Sequence, residues 1–376
     1  MATFELESSA QLSEGELAAL VEDVLAGRGA EGAEEAVEAA GMAALPALAD
    51  LLSRDLPIEQ IEAVESRLKR ALLGLMRGEP SGERARELAR FQRDLGLLIK
   101  YKSYGIKASS PLGYSLFVLT PGEGFSFQRH RSHKTEIFHI LAVSSDARVF
   151  LCSSEQWRDC FEPAAFASWL AGRADPRYDT FSLVPRPGDV IVIDTTDVVH
   201  SVTGCVLEEF ASVSTDMVDR LFDQNLGRPV PLAGGRATVK ERLLALDAEP
   251  LRRRIRPGTS GPAIEDLAQD PAPVSQRAWF GSTPSFSAAH WRIDPGQETP
   301  LESCGRQAIS LYALQGQGDL LLVDETELGQ PAIPRLDLHR GDSLMIPPGC
   351  HYQLRNRGTE PLVVSEHRIE PAVALG

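Results

Sequence analysis

The sequence predicts a mainly β protein: two β-barrels preceded by an α-helical domain. Three observations carry that prediction. Short runs rich in Val, Ile, Leu and Phe recur between Gly/Pro turns from about residue 97 to 228 (GYSLFVLTPGEG, EIFHILAV, GDVIVID) and again from about 276 to 370 (AISLYALQGQGDLLLVD, RGDSLMIPPG, PLVVSEHRI). Many short, turn-bounded strands indicate a sandwich or barrel. The amino-terminal stretch lacks this texture and repeats its apolar residues at helical spacing. Finally, 376 residues exceed what one ordinary core accommodates, which fits several domains.

The first domain, 1–94, is predicted helical. Ser13 and Glu16 form a capping box, and Leu17, Leu20, Val21, Val24 and Leu25 follow on one stripe. Further helices are expected at about 31–52, 58–77 and 82–94, punctuated by Pro46, Pro57 and the segment Gly78-Glu79-Pro80-Ser81-Gly82. The stretch GMAALPALADLL shows no fixed period, so a bundle is expected rather than a repeat array. Residues 95–228 form the first barrel, interrupted at 155–179 by an insertion that is helical in its middle and placed to roof a pocket. Residues 229–275 read as a helical and irregular connector, and 276–376 as the second barrel.

Composition narrows the function. With 43% hydrophobic and 24% charged residues the chain is globular, and its net charge of -15 argues against nucleic acid or an anionic membrane as partner. A small-molecule substrate is expected instead. No run of about 18 apolar residues occurs. The acidic start MATFELESSAQLSEGE lacks the basic region of a signal peptide, which points to a cytoplasmic protein. The five cysteines, Cys152, Cys160, Cys205, Cys304 and Cys350, have neither CxxC spacing nor an even count, so they read as reduced thiols.

Three of the eight histidines cluster with one glutamate on the first barrel: His130, His133 and Glu136 together, then His200 after Pro187-Gly188-Asp189. Neutral imidazole plus carboxylate binds divalent transition metals such as Fe, Mn, Ni, Co or Zn and leaves coordination positions open for substrate. His139 stands three residues after Glu136, so in a strand it faces the opposite side. It is read as a satisfied core or surface histidine.

Both barrels resemble cupins, whose pattern is G-x5-H-x-H-x3-E-x6-G followed by G-x5-P-x-G-x2-H-x3-N. Gly124, His130 and Glu136 fall at the pattern's spacings, while Ser132 occupies the second histidine position and His133 follows one residue later. Either a one-residue bulge turns His133 inward or the site lacks that ligand. Gly188-Asp189 also matches, but Asp194-Thr195-Thr196 replaces P-x-G and His200 arrives one residue late. The resemblance implies a bicupin with one metal site. In the second barrel the ligand positions fall on Glu302, Cys304, Ala308 or Ile309, and Tyr352, with His351 displaced by one. That barrel is expected to be degenerate, with a Glu302, Cys304 and His351 zinc set as the alternative.

The segment from Glu209 to Arg228 is similar to the barrel exit of sugar-handling cupins, among them type II mannose-6-phosphate isomerases, cupins of sialic-acid synthesis and D-lyxose isomerases. Lys134-Thr135-Glu136 likewise resembles the K-x-E of the lyxose isomerase motif. The alternative for the exit segment is an acidic turn in which Arg220 pairs with Asp216 or Asp223. The resemblance implies a metal-dependent isomerase or epimerase of a sugar or polyol derivative, working through a metal-stabilised enediolate. Lys134, Asp194 and Glu209 are the candidate proton carriers. Two alternatives use the same residues: an Fe(II)-dependent cupin dioxygenase, and a non-enzymatic ligand-binding barrel. The helical domain and the second barrel are both candidate homodimer surfaces.

Overall fold

In a computed structural model the chain divides into two compact units, Met1–Gly78 and Glu79–Gly376. The described residues are Ala19 and 81–376 without 103, 131–133, 213–217, 224–242, 244–245, 247–249, 268–274, 284, 331–332 and 371–376. The helices expected before residue 78, and His133, therefore lie outside the described residues. Among the described residues no helix is long and apolar enough to cross a membrane.

The first barrel is an 11-stranded sheet. Its strands are β1 (Leu98–Lys102), β2 (Gly105–Ser109), β3 (Tyr114–Val118), β4 (Phe127–His130), β5 (Glu136–Ser153), β6 (Ser182–Leu183), β7 (Asp189–Ile193), β8 (Val198–Ala211), β9 (Val218–Phe222), β10 (Arg253–Arg256) and β11 (Ala263–Asp266). They run in the order β1-β2-β3-β8-β5-β7-β10-β11, with β4 joining β8 to β9 and β6 lying on β5. The spine is β5 against β8, antiparallel from Glu136↔Ala211 to Ser153↔Val198. Period-two alternation sorts their side chains. Phe138 and Ile140 of β5 meet Val198, Val202 and Leu207 of β8 in the barrel core, whereas Ile137 and His139 face the other way.

Two of these strands lie where a helical and irregular connector was expected. β10 pairs in parallel with β7, and the Arg253 guanidinium donates to the buried Asp189 carboxylate at 2.8 Å. Gly188 makes the preceding turn at φ 88°, and a Cβ there would stand 2.2 Å from the Pro250 carbonyl oxygen.

Four helices surround the sheets among the described residues. Helix α1 (Gly82–Leu95) is capped by Ser81 and buries Ala85 and Ala89 in the second barrel's core, where Arg86 pairs with Glu327 at 2.8 Å. The insertion forms α2 (Ser154–Cys160), α3 (Pro163–Leu170) and α4 (Pro176–Asp179). Ser153 and Gln156 build a capping box on α2. Trp157, Phe166, Trp169 and Tyr178 then cover Phe127 and Phe150 on the outside of the first barrel.

The second barrel is a pair of sheets, one of β12 (Ser275–Ser282), β13 (Phe286–Ile293), β20 (Leu362–Ile369), β15 (Ala308–Gln315) and β18 (Ser343–Ile346), the other of β14 (Glu302–Ser303), β19 (His351–Asn356), β16 (Gln317–Val323) and β17 (Leu336–His339). Their facing sides bury Trp291, Ile309, Leu311, Leu344 and Val364 against Leu320, Leu322, Leu338, Tyr352 and Leu354. The barrels meet through Tyr114 stacked on Tyr312 at 5.3 Å and Phe210 against Phe280 at 5.3 Å.

His367 sits in that junction between Phe210 and Phe286, fully buried, and burial pushes its imidazole down to about 3. The unfolded imidazole titrates near 6.5, so between these values the unfolded chain binds a proton that the folded chain does not. Stability contributed here is present above the unfolded value and is lost as pH falls, by at most about 1.4 kcal/mol per pH unit. His367→Phe is expected to flatten the fall in urea midpoint between pH 6.5 and 4.5; an unchanged slope excludes His367 as its source. Gly188→Ala is expected to lower stability by about 1–3 kcal/mol in the same urea assay, because an L-residue must hold that positive φ against a backbone oxygen.

Candidate metal centre

His130 ends β4, Glu136 begins β5 and His200 lies near the start of β8, so three strands deliver one donor each to the same end of the first barrel. His200 is inward although it arrives late in the motif, because Val198 and Val202, two residues either side, belong to the same core. Glu136 shares the inward face of β5 with Phe138 and Ile140. The result is a convergence on one oxygen. His130 Nε2 lies 2.9 Å and His200 Nε2 3.2 Å from Glu136 Oε2.

The surroundings prepare these atoms. The Nδ1 of His200 lies 3.3 Å from the Val198 carbonyl oxygen; a proton on Nδ1 donates there and leaves Nε2 as a donor to a cation. Gln128, two residues before His130 and so on the same strand face, places its Nε2 3.5 Å from His200 Nε2. All three donor residues are buried, with exposures of 3%, 1% and 0% for His130, Glu136 and His200. Burial pushes the Glu136 carboxyl up, but the neighbouring His130 and Lys134 outweigh it and hold it well below the usual carboxylate range. Two imidazole nitrogens and an ionised oxygen are the donor set that divalent transition metals take, and the site fits one. His133 would add a third imidazole; it lies outside the described residues.

Of the candidate proton carriers, the fold brings two together beside the donors. Lys134 Nζ stands 2.5 Å from Glu136 Oε1 and 3.4 Å from Glu209 Oε1, and Lys107 Nζ reaches Glu209 Oε2 at 3.3 Å. Burial works against the Lys134 ammonium, but the two carboxylates prevail and raise its pKa. Asp194 is exposed and paired with Arg256 of β10 at 2.7 Å. Lys107 was not singled out in the sequence, since a lysine in the short run GIKAS carries no motif; Gln128 had a signal in its i, i+2 relation to His130.

Beside His130 lies a cavity of about 330 Å³ lined also by Arg129, Thr196, Asp197 and Asp219. Arg129 is held by Asp219 at 3.1 Å and by Ser154 Oγ at 3.1 Å. Of the exit segment, β9 pairs with β4 and places Arg220 opposite Gln128, while Asp216 lies outside the described residues.

The second barrel is filled differently. Glu302 and Tyr352, which occupy ligand positions of the motif, face each other across β14 and β19 and are joined by Arg368, whose Nη2 is 3.1 Å from Glu302 Oε2 and 3.1 Å from the Tyr352 hydroxyl. Arg277 adds a second guanidinium, bridging Glu302 and Glu366. Cys304 is packed in the apolar core, and His351 forms no donor group with it and Glu302 among the described residues.

A Cupin domain family model matches residues 289–367, within the second barrel. No curated protein sequence matches the chain. Among solved structures, the chain is similar to the formate complex of Lactobacillus farciminis oxalate decarboxylase, at 16% identity and a TM-score of 0.43 over 73% of this chain and 84% of that one. It is also similar to Bacillus subtilis oxalate decarboxylase, described by its Mn(II) centres, at 14% identity and a TM-score of 0.42 over 72% and 74%. The Schizosaccharomyces pombe Cnp3 cupin domain matches at 18% identity and a TM-score of 0.23 over 30% and 79%.

His130→Ala and Glu136→Gln are each expected to lower the bound metal by one equivalent per chain after loading with Mn(II) or Zn(II), read by elemental analysis. Asp194→Asn should leave the content unchanged. Equal metal in wild type and His130→Ala would contradict this assignment.

Proposed function

From a cupin-superfamily chain of two barrels, we propose a metal-dependent isomerase or epimerase that acts on a sugar or polyol derivative in the first barrel. The observation that carries this reading is Lys134, which touches both the donor carboxylate Glu136 and the second carboxylate Glu209. Aldose–ketose and epimer interconversions move a proton at carbon beside a carbonyl, and they need a base held next to an electrophile.

Bound by His130, Glu136 and His200, a divalent cation would supply Lewis acidity toward the substrate carbonyl. We assign Glu209 as the base, taking the proton on its carboxylate and returning it to carbon. Lys134, in contact with both carboxylates, is assigned a positioning role beside it. Its work is to hold Glu209 in place, with Lys107 on the other oxygen. The cavity supports a hydroxyl-rich ligand: Arg129, Thr196, Asp197 and Asp219 offer donors and acceptors, and about 330 Å³ suits a small molecule.

One observation favours a second reading. The described donors are two histidines and one carboxylate, the set that also holds Fe(II) in non-haem oxygenases. The two separate in one experiment, assay of Mn(II)-, Co(II)-, Ni(II)- and Fe(II)-loaded protein on a panel of aldoses, ketoses and polyols with oxygen uptake recorded. Isomerisation without oxygen uptake is expected, and Glu209→Gln should lower kcat by at least about 100-fold with metal content retained. Oxygen uptake with Fe(II) would replace this reading by the second. Inactivity throughout would leave a ligand-binding barrel.

A further inference from the structure

Glu208 precedes Glu209 on β8, so its side chain leaves the first barrel on the opposite face and enters the junction with the second. It is 0% exposed. Its Oε1 accepts from the Tyr114 hydroxyl at 2.8 Å and from Ser365 of β20. Its Oε2 is approached by His139 Nδ1 of β5 at 2.8 Å and by His290 Nε2 of β13 at 2.8 Å. His139 stacks on Phe280 at 4.8 Å, and the two imidazoles are 0% and 5% exposed.

Charge compensation sets this carboxylate apart. Among the described residues, the other buried acids each meet a guanidinium or an ammonium: Glu136 and Glu209 meet Lys134, Asp189 meets Arg253, Asp319 meets Arg335, Arg355 and Arg357, and Glu366 meets Arg277 and Arg368. Glu208 meets only imidazoles and hydroxyls. A dry carboxylate without a counter-charge is costly, so a cation is called for, either a proton on an imidazole or a metal held between them. The convergence of the donors suits the second. Two imidazole nitrogens converge on a single carboxylate oxygen, as they do at His130, Glu136 and His200, and in each trio the donor atoms lie within 4.8 Å of one another. The other oxygen is fixed from behind by two hydroxyls, as the carboxylate ligands of metals commonly are.

We propose that His139, Glu208 and His290 form a second divalent-cation site, which joins the barrels because the first two donors come from one barrel and the third from the other. Two imidazoles and a carboxylate suit Zn(II). The three donors are 0–5% exposed, which leaves little opening for a substrate, so the site's role is to join the barrels.

The test uses the full chain expressed with added Zn(II) and dialysed without chelator, read by elemental analysis. Wild type is expected to hold two equivalents, His130→Ala one and His290→Gln one. Retention of one equivalent by His130→Ala is the deciding result, because that variant leaves the junction intact and does not depend on the folding of a junction variant. No metal in His130→Ala would overturn the proposal, as would wild-type content in folded His290→Gln. One equivalent in both wild type and His130→Ala, lost in His290→Gln, would uphold the junction site and remove the metal from the proposed enzyme site.

Discussion

The antiparallel pairing of β5 with β8 is the constraint on which the chemistry of this chain depends. Because side chains alternate along a strand, that pairing assigns each ionisable group to one of two buried spaces. Glu136 and Glu209 go into the first barrel, where Lys134 links them. His139 and Glu208 go into the junction, where His290 meets them. A slip of β8 by one residue would swap Glu208 and Glu209 between the two spaces and break both sets.

Buried charge explains why the barrels differ. A barrel interior that gathers carboxylates must also gather cations, and the cost of leaving one unpaired is far larger than the net gain of any pair. In the second barrel guanidiniums do this: Arg277 and Arg368 bind Glu302 and Glu366, and the Tyr352 hydroxyl completes the network. In the first barrel the Lys134 ammonium touches both Glu136 and Glu209, Lys107 adds a second ammonium on Glu209, and the imidazoles of His130 and His200 meet one oxygen of Glu136. The family match falls on the second barrel, and the candidate donors His130, Glu136 and His200 fall on the first.

Much of this was legible in the sequence. The change to short turn-bounded apolar runs located both barrels, Gly78 to Gly82 marked the start of α1, and the insertion read as helical in its middle, where three short helices form. His130, Glu136 and His200 were found as ligand-type residues at near-family spacing, and Lys134 and Glu209 as their neighbours. What stayed hidden had no local signal. RRIR and AIED lack apolar alternation, so β10 and β11 read as connector; they are strands because β7 offers an edge and Asp189 offers Arg253 a buried partner. Asp194 looked like a site residue by proximity in sequence, yet Arg256 of that unforeseen strand takes it. The junction trio joins positions 139, 208 and 290, and only the packing of one barrel on another brings them within reach.

One end of the first barrel is proposed as a metal centre whose donors are His130, Glu136 and His200. Anomalous diffraction from crystals of the Mn(II)-loaded full chain is the decisive measurement. A peak is expected roughly 2.0–2.3 Å from His130 Nε2, His200 Nε2 and a Glu136 oxygen, a usual range for such ligands. A map with no peak there, from protein shown to contain manganese, would rule these donors out.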